Sequence, residues 1–166
     1  MIVHPNAKIN IGLNITGLLP NGYHSIETVF YPVNVYDHLK IEPIPNAAEN
    51  QFVVKGLSID GKPENNLVIK AWQLLRDEYK IAPVKIFLEK NIPMGAGLGG
   101  GSSDAAFMLK TLNDLFQLDI DREKLRNLAA KLGADCPFFI DNQPVFAQGK
   151  GDEFHPLKLS LKNFYL

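Results

Sequence analysis

Pro93-Met94-Gly95-Ala96-Gly97-Leu98-Gly99-Gly100-Gly101-Ser102-Ser103 is the stretch from which the rest of the chain can be read. Five of the seven residues from Gly95 to Gly101 are glycine. Glycine loses more backbone entropy on folding than any other residue, so a fold keeps such a run where the chain must turn sharply or approach a ligand closely. Val84 to Glu89, just before the run, reads as a strand. After it, Ala106, Leu109, Leu112 and Phe116 recur on one side of a helix that starts near Ser102 or Ser103. A helix N-terminus carries free N–H donors and a partial positive charge. Loop, two hydroxyls and helix end together predict a phosphate site.

Other glycine-rich phosphate sites fit less well. A P-loop needs Lys and then Ser or Thr after its last glycine, whereas Gly101 and Ser102 follow Gly100. Gly95, Gly97 and Gly100 satisfy G-x-G-x-x-G, but a dinucleotide fold also wants an acidic residue at the end of a second strand about 20 positions on. Asp119 and Asp121 have that spacing and sit before a helix instead.

The 166-residue chain suits one domain with a real core. Its apolar content of 46%, charged content of 21% and net charge of -1 are those of an ordinary globular protein. They give no sign of a nucleic-acid or membrane-surface partner. The single cysteine, Cys136, cannot form an internal disulfide or a cysteine-based zinc site. No signal peptide and no membrane-length apolar run is present, so a cytoplasmic location is expected.

Alternation of Ile9, Ile11, Leu13 and Ile15 with Lys8, Asn10, Gly12 and Asn14 predicts a half-buried strand, with Lys8 and Asn10 opposite its apolar face. Strands are also expected over 25–35, 39–42 and 51–55, and helices from Asn66 to Lys80 and from Asp121 to Leu132. Phe138 to Ile140 and Val145 to Gln148 read as a final hairpin, and the last four residues as the start of a further strand. Strands come early and helices late, which favours an α+β fold over a doubly wound sheet.

The loop, extended to Ala106, resembles the signature of the GHMP kinases, named for galactose, homoserine, mevalonate and phosphomevalonate kinases. Three further segments resemble the branch of that family that acts on 4-diphosphocytidyl-2-C-methyl-D-erythritol. They are Asn6-Ala-Lys-Ile-Asn-Ile-Gly-Leu13, Asn21-Gly-Tyr-His-Ser-Ile-Glu-Thr28 and Leu132-Gly-Ala-Asp-Cys-Pro-Phe-Phe139. The resemblance implies an α+β domain of the ribosomal protein S5 domain 2-like type over residues 1–166. A C-terminal domain of the family is expected to lie beyond this chain. It also implies ATP-dependent phosphorylation of the 2-hydroxyl of a small cytidine diphosphate substrate on the non-mevalonate route to isoprenoids, with Mg2+ accompanying ATP. Another small-molecule kinase of the family, or a nucleotide-binding module without turnover, is the alternative.

By the same resemblance, Asp135 is the catalytic base and Lys8 the catalytic lysine. Asn10, Tyr23 and His24 bind substrate, the tyrosine by stacking on cytosine and the histidine by hydrogen bonding. Pro93 to Ser103 hold the ATP phosphates, and Asn66 and Lys90 lie where the family contacts adenine. Asn65 could exchange roles with Asn66. Asp104 is expected to be structural, Cys136 a small core residue, and His4, His38 and His155 surface residues. The sequence names no dedicated metal ligand, although Ser103 with a phosphate oxygen would serve.

Overall fold

A computed structural model describes residues 1–18, 20, 22, 24–59 and 61–164. The candidate residue Tyr23 lies outside the described residues, as do the last two positions of the expected terminal strand.

Among the described residues, eight strands form two four-stranded sheets. The first has the order β1 (Ile2–Val3), β4 (His38–Pro43), β6 (Val84–Lys90), β5 (Gln51–Gly56). The second has the order β2 (Asn6–Leu18), β3 (His24–Tyr36), β7 (Val145–Gln148), β8 (Glu153–Pro156). β5 and β6 run parallel and are joined through α1 (Leu67–Tyr79), giving one βαβ unit in a fold that is otherwise antiparallel. Asn66 caps α1, its side-chain oxygen accepting the N–H of Val68 at 2.9 Å. α2 (Gly100–Phe116) follows the glycine loop, α3 (Arg122–Ala130) is capped by Asp121, and α4 (Phe138–Asp141) is a single turn.

One buried cluster spans both sheets and all the helices. Leu39, Ile41, Ile86 and Leu88 come from the first sheet, Phe30, Val145 and Ala147 from the second, and Trp72, Leu75, Met108, Leu109 and Leu128 from the helices. Val84, Ile86 and Leu88 alternate with less buried residues along β6, the period expected of a strand with one face on a core.

Three expectations change. Ile11, Leu13 and Ile15 are exposed, whereas Asn6 and Lys8 are buried. Alternation alone does not say which face of a strand is covered. Gly12, at φ +66°, sits in a register shift between Ile11 and Leu13 that resets the pleat. Second, Phe138 to Ile140 form part of α4 and not a strand, because Pro137 starts a helical turn and Val145 to Gln148 pairs with β8 instead. Third, α2 begins at Gly100, ahead of both serines, so the last two glycines of the loop belong to the helix. Of the end segment, Asn163 lies in a turn.

Gly56 closes β5 at φ +84°, directly over the backbone carbonyl of Lys90. A methyl group there would overlap that oxygen. Gly61 has φ +95° with open space around it. Gly56→Ala should therefore destabilise the chain by about 2–4 kcal/mol, combining strain at positive φ with overpacking. Gly61→Ala should cost only the backbone term of about 1–2 kcal/mol. Urea midpoints of the two variants measure the difference, and equal losses would contradict the close approach.

Candidate functional site

The strand-to-loop junction is fixed by one carboxylate. Asp37, fully buried between β3 and β4, accepts the backbone N–H of Asn91 at 2.5 Å and of Ile92 at 2.8 Å through Oδ1. Its Oδ2 takes the ammonium of Lys90, which also reaches Asp104 Oδ2 at 3.1 Å. All three side chains are at most 2% exposed. Lys90 thus spends its charge inside the protein. Its Nζ lies 2.8 Å from the point where a Cβ on Gly100 would stand, so the cluster supports the first residue of α2 from below.

Beyond this junction the loop winds with Gly95, Gly97 and Gly99 at φ +69° to +74°. Gly99 is constrained twice. Its φ of +69° disfavours a side chain, and a Cβ would meet the Phe139 ring at 2.9 Å and Lys8 Cγ at 3.1 Å. The residues of the loop thereby touch two distant segments. The Lys8 N–H also donates to the Leu98 carbonyl at 2.9 Å. Leu98 packs on a small cluster of Ala7, Val33 and Ile92, which ties β2 to the loop.

The turn that carries Asp135 is drawn to the same place. Gly133 lies close to Cys136 Sγ and, through it, to Ser102 at the start of α2. The buried Cys136 thiol is pushed up to about 11 by desolvation, partly offset by a hydrogen bond with Ser102, so it stays a neutral packing group. Asp135 Oδ2 stands 3.3 Å from Lys8 Nζ. The same ammonium donates to Asn10 Oδ1 at 2.6 Å and lies 4.3 Å from the centre of the Phe30 ring. Lys8 is 5% exposed and Asp135 is 33% exposed, so the lysine is held by protein while the carboxylate faces outward. A fixed ammonium beside an accessible carboxylate, next to the N–H groups of a helix start, can receive a hydroxyl proton and stabilise negative charge.

On the other side of the loop a cavity of about 420 Å³ is lined by apolar Phe52, Val54, Ile59, Leu67 and Met94 and by polar Asn65, Asn66, Lys90 and Asp104. That size and lining suit a flat heteroaromatic group. Asn65 and Asn66 both reach it, but the Asn66 oxygen is committed to capping α1. The loop from Pro93 to Gly97 is exposed, Gly100 is buried, and Gly101 lines the cavity.

The predicted residues are brought together in part. Lys8, Asn10, Asp135 and the loop from Leu98 to Ser103 form one site. His24 is exposed and does not join it. It pairs with Leu18 at the tip of the β2–β3 hairpin, whereas Lys8 pairs with Pro32. The separation is roughly 26 Å along the strand by rise, reduced by the bends that two intervening register shifts impose. His4 and His38 meet each other on the surface, with 2.7 Å between their Nδ1 atoms. Sequence reasoning did not find Asp37, Phe30 or Gly56. Asp37 acts 53 residues away in sequence from Lys90, and no local pattern marks such a pairing.

The profile described as GHMP kinases N terminal domain matches residues 66–150. The chain belongs to the GHMP kinases. Relatives named 4-diphosphocytidyl-2-C-methyl-D-erythritol kinase match it throughout. The protein of Bacteroides fragilis is 57% identical over all of this chain and 61% of its own length. That of Parabacteroides distasonis is 54% identical over all of this chain and 60% of its own length. The chain thus spans about three-fifths of the length of these relatives. A solved structure, "Crystal structure of 4-(cytidine 5'-diphospho)-2C-methyl-D-erythritol kinase", superposes with a TM-score of 0.82 at 37% identity, covering 96% of this chain and 56% of that one. A mevalonate kinase structure superposes at 0.70 with 12% identity over 95% of this chain and 56% of its own, which shows the shared fold alone. Among the described residues, no helix is long and apolar enough to cross a membrane.

Removing Asp37 would leave Lys90 with one carboxylate and strand two backbone N–H groups. Asp37→Ala should cost about 3–5 kcal/mol, the range for breaking a buried ion pair. Guanidinium unfolding would show this as a lower midpoint, and a loss under about 1 kcal/mol would contradict the role given to Asp37.

Proposed function

We propose that this chain is the nucleotide-binding part of a kinase that transfers the γ-phosphoryl group of ATP to the 2-hydroxyl of 4-diphosphocytidyl-2-C-methyl-D-erythritol. The observation that carries the reading is the pairing of Lys8 and Asp135 at 3.3 Å, beside the glycine loop that leads into α2. Relatives named 4-diphosphocytidyl-2-C-methyl-D-erythritol kinase, 57% and 54% identical across the whole chain, support the choice of substrate.

In this reading the triphosphate lies over Gly95 to Ser103 and meets the free N–H groups at the start of α2. The adenine fills the cavity beside Asn65 and Met94, with the Lys90 and Asp104 side chains forming its floor. Asp135 accepts the proton of the attacking hydroxyl. Lys8, fixed by Asn10 and Phe30, offsets the charge that builds as that oxygen attacks phosphorus. Tyr23 and His24 bind the cytosine, the tyrosine by stacking and the histidine by hydrogen bonding.

Mg2+ arrives with ATP as part of the substrate. Among the described residues no group of three or more His, Cys, Asp or Glu side chains could hold it. That fits a hard cation ligated mainly by phosphate oxygens and water. The Ser103 hydroxyl is buried without a protein partner, and it is the oxygen this chain could add.

Phosphorylation assays on the complete gene product test the proposal. Asp135→Ala should lower kcat by about 10²–10⁴ while leaving KM for ATP within about twofold. Wild-type turnover in this variant would remove the proposed base. Preference for mevalonate over the cytidine compound would overturn the substrate assignment.

A further inference from the structure

Two histidines have no part in the proposed reaction, yet the fold sets them against each other. His4 follows β1 and His38 opens β4. Their Nδ1 atoms are 2.7 Å apart, with ring centroids at 4.8 Å and ring planes at 87°. So short a contact needs a bare nitrogen facing an N–H, so two imidazolium rings cannot share it. The shared proton sits where a cation with two nitrogen donors could sit.

The backbone fixes both positions. Ile2 and Val3 pair with Lys40 and Leu39, and the next step of the same ladder brings His4 opposite His38. Leu39 is buried in the core and Val3 packs against it, so the period of two turns both histidines to the outer face. Pro5 restricts His4 to extended backbone, as a proline does to the residue before it. Pro5 is itself buried, and its carbonyl accepts the N–H of Asp37 at 2.9 Å. Backbone pairing thus frames the two rings on both sides, and little ordering remains to be done when a ligand arrives.

We propose that His4 and His38 form a two-nitrogen site for a borderline divalent transition ion, zinc, nickel or copper, which replaces the shared proton and staples β1 to β4 where the chain crosses between the two sheets. Imidazole nitrogen suits these ions and not the hard magnesium that accompanies ATP. Two nitrogens held about 2.0–2.1 Å from one ion stand roughly 2.9–3.4 Å apart at octahedral or tetrahedral angles. The existing 2.7 Å is close to that range, and rotation of the exposed rings supplies the rest. Among the described residues no group of three or more His, Cys, Asp or Glu side chains could hold a metal, so water fills the remaining positions on the ion. Glu89, directly opposite His38 on β6, adds a negative charge to the same outer row.

The position has a consequence for the glycine loop. Asp37, the anchor of the loop start, directly precedes His38 and is bonded to Pro5, which directly follows His4. A staple across the two histidines tightens the segment that carries this anchor. Neither histidine lines the nucleotide cavity, so the inference does not rest on the proposed kinase reaction.

The test titrates the complete gene product with zinc chloride, alone and with excess magnesium. The melting temperature should rise by about 5–10 °C once free zinc exceeds its dissociation constant about a hundredfold. His4→Ala and His38→Ala should each weaken this binding by at least about tenfold and shrink the rise. With copper(II) in place of zinc, the electron paramagnetic resonance spectrum should show coupling to two imidazole nitrogens, and to one fewer in each variant. Turnover with magnesium and ATP should be unchanged in both variants. No zinc binding in wild type overturns the inference, as does equal zinc affinity in wild type and either folded variant. Displacement of zinc by magnesium overturns it too, because the site would then be one of oxygen donors. Either variant decides the outcome, so failure of one to fold leaves the other as the test.

Discussion

Asp37 takes the N–H groups of Asn91 and Ile92 on one oxygen and the Lys90 ammonium on the other. Most of the site depends on that arrangement. It sets where β6 ends, and therefore where the loop starts. Lys90, held by this acid, rises to the underside of Gly100 and sets where α2 begins. A buried ion cluster of this kind adds little net stability over an apolar replacement, because desolvation offsets most of the Coulomb gain. Its value here is geometric. A strand end, a loop start and a helix start share one anchor, so the glycines between them can be free of side chains without being free in position.

Around that anchor the site is assembled from segments distant in sequence. β2 supplies Lys8 and Asn10, the turn before α4 supplies Asp135, and Phe139 and Lys8 close on Gly99 from two sides. The absence of a side chain at Gly99 is what permits this convergence. The loop is therefore not only a cradle for phosphate but also the point at which the reacting pair is brought to the helix start. The buried ammonium of Lys8 meets a carboxylate, an amide oxygen and an aromatic face, which fix it in place while Asp135 stays accessible.

Much of this was legible in the sequence, for identifiable reasons. The strand before the loop, the Asn66 and Asp121 caps and the helical stripe after the loop are local patterns, and they appear in the structure. The Lys8–Asp135 pair lies 127 positions apart and was reached through motif resemblance, not through periodicity. Period also misled. It marked Ile11, Leu13 and Ile15 as a core face, but an alternating strand is symmetrical until something covers one side, and from Asn10 onward both faces of β2 are exposed. Asp37 carried no signal, since one aspartate after an apolar run looks like any turn residue. Lys90 lines the cavity, but the burial of its charge between two acids is a tertiary fact.

β2 is the outer strand of its sheet, 13 residues long, with exposed Ile11, Leu13 and Ile15. A straight apolar border of that length is a template on which a foreign strand can add, and it exposes a protein to fibrillar self-association. The register shifts after Ile11 and after Ile15 interrupt it twice. Each bends the strand and displaces its outward hydrogen-bonding groups, so no flat run longer than a few residues is offered. The register shifts of β2 are thus what limits its open border as a template for other chains.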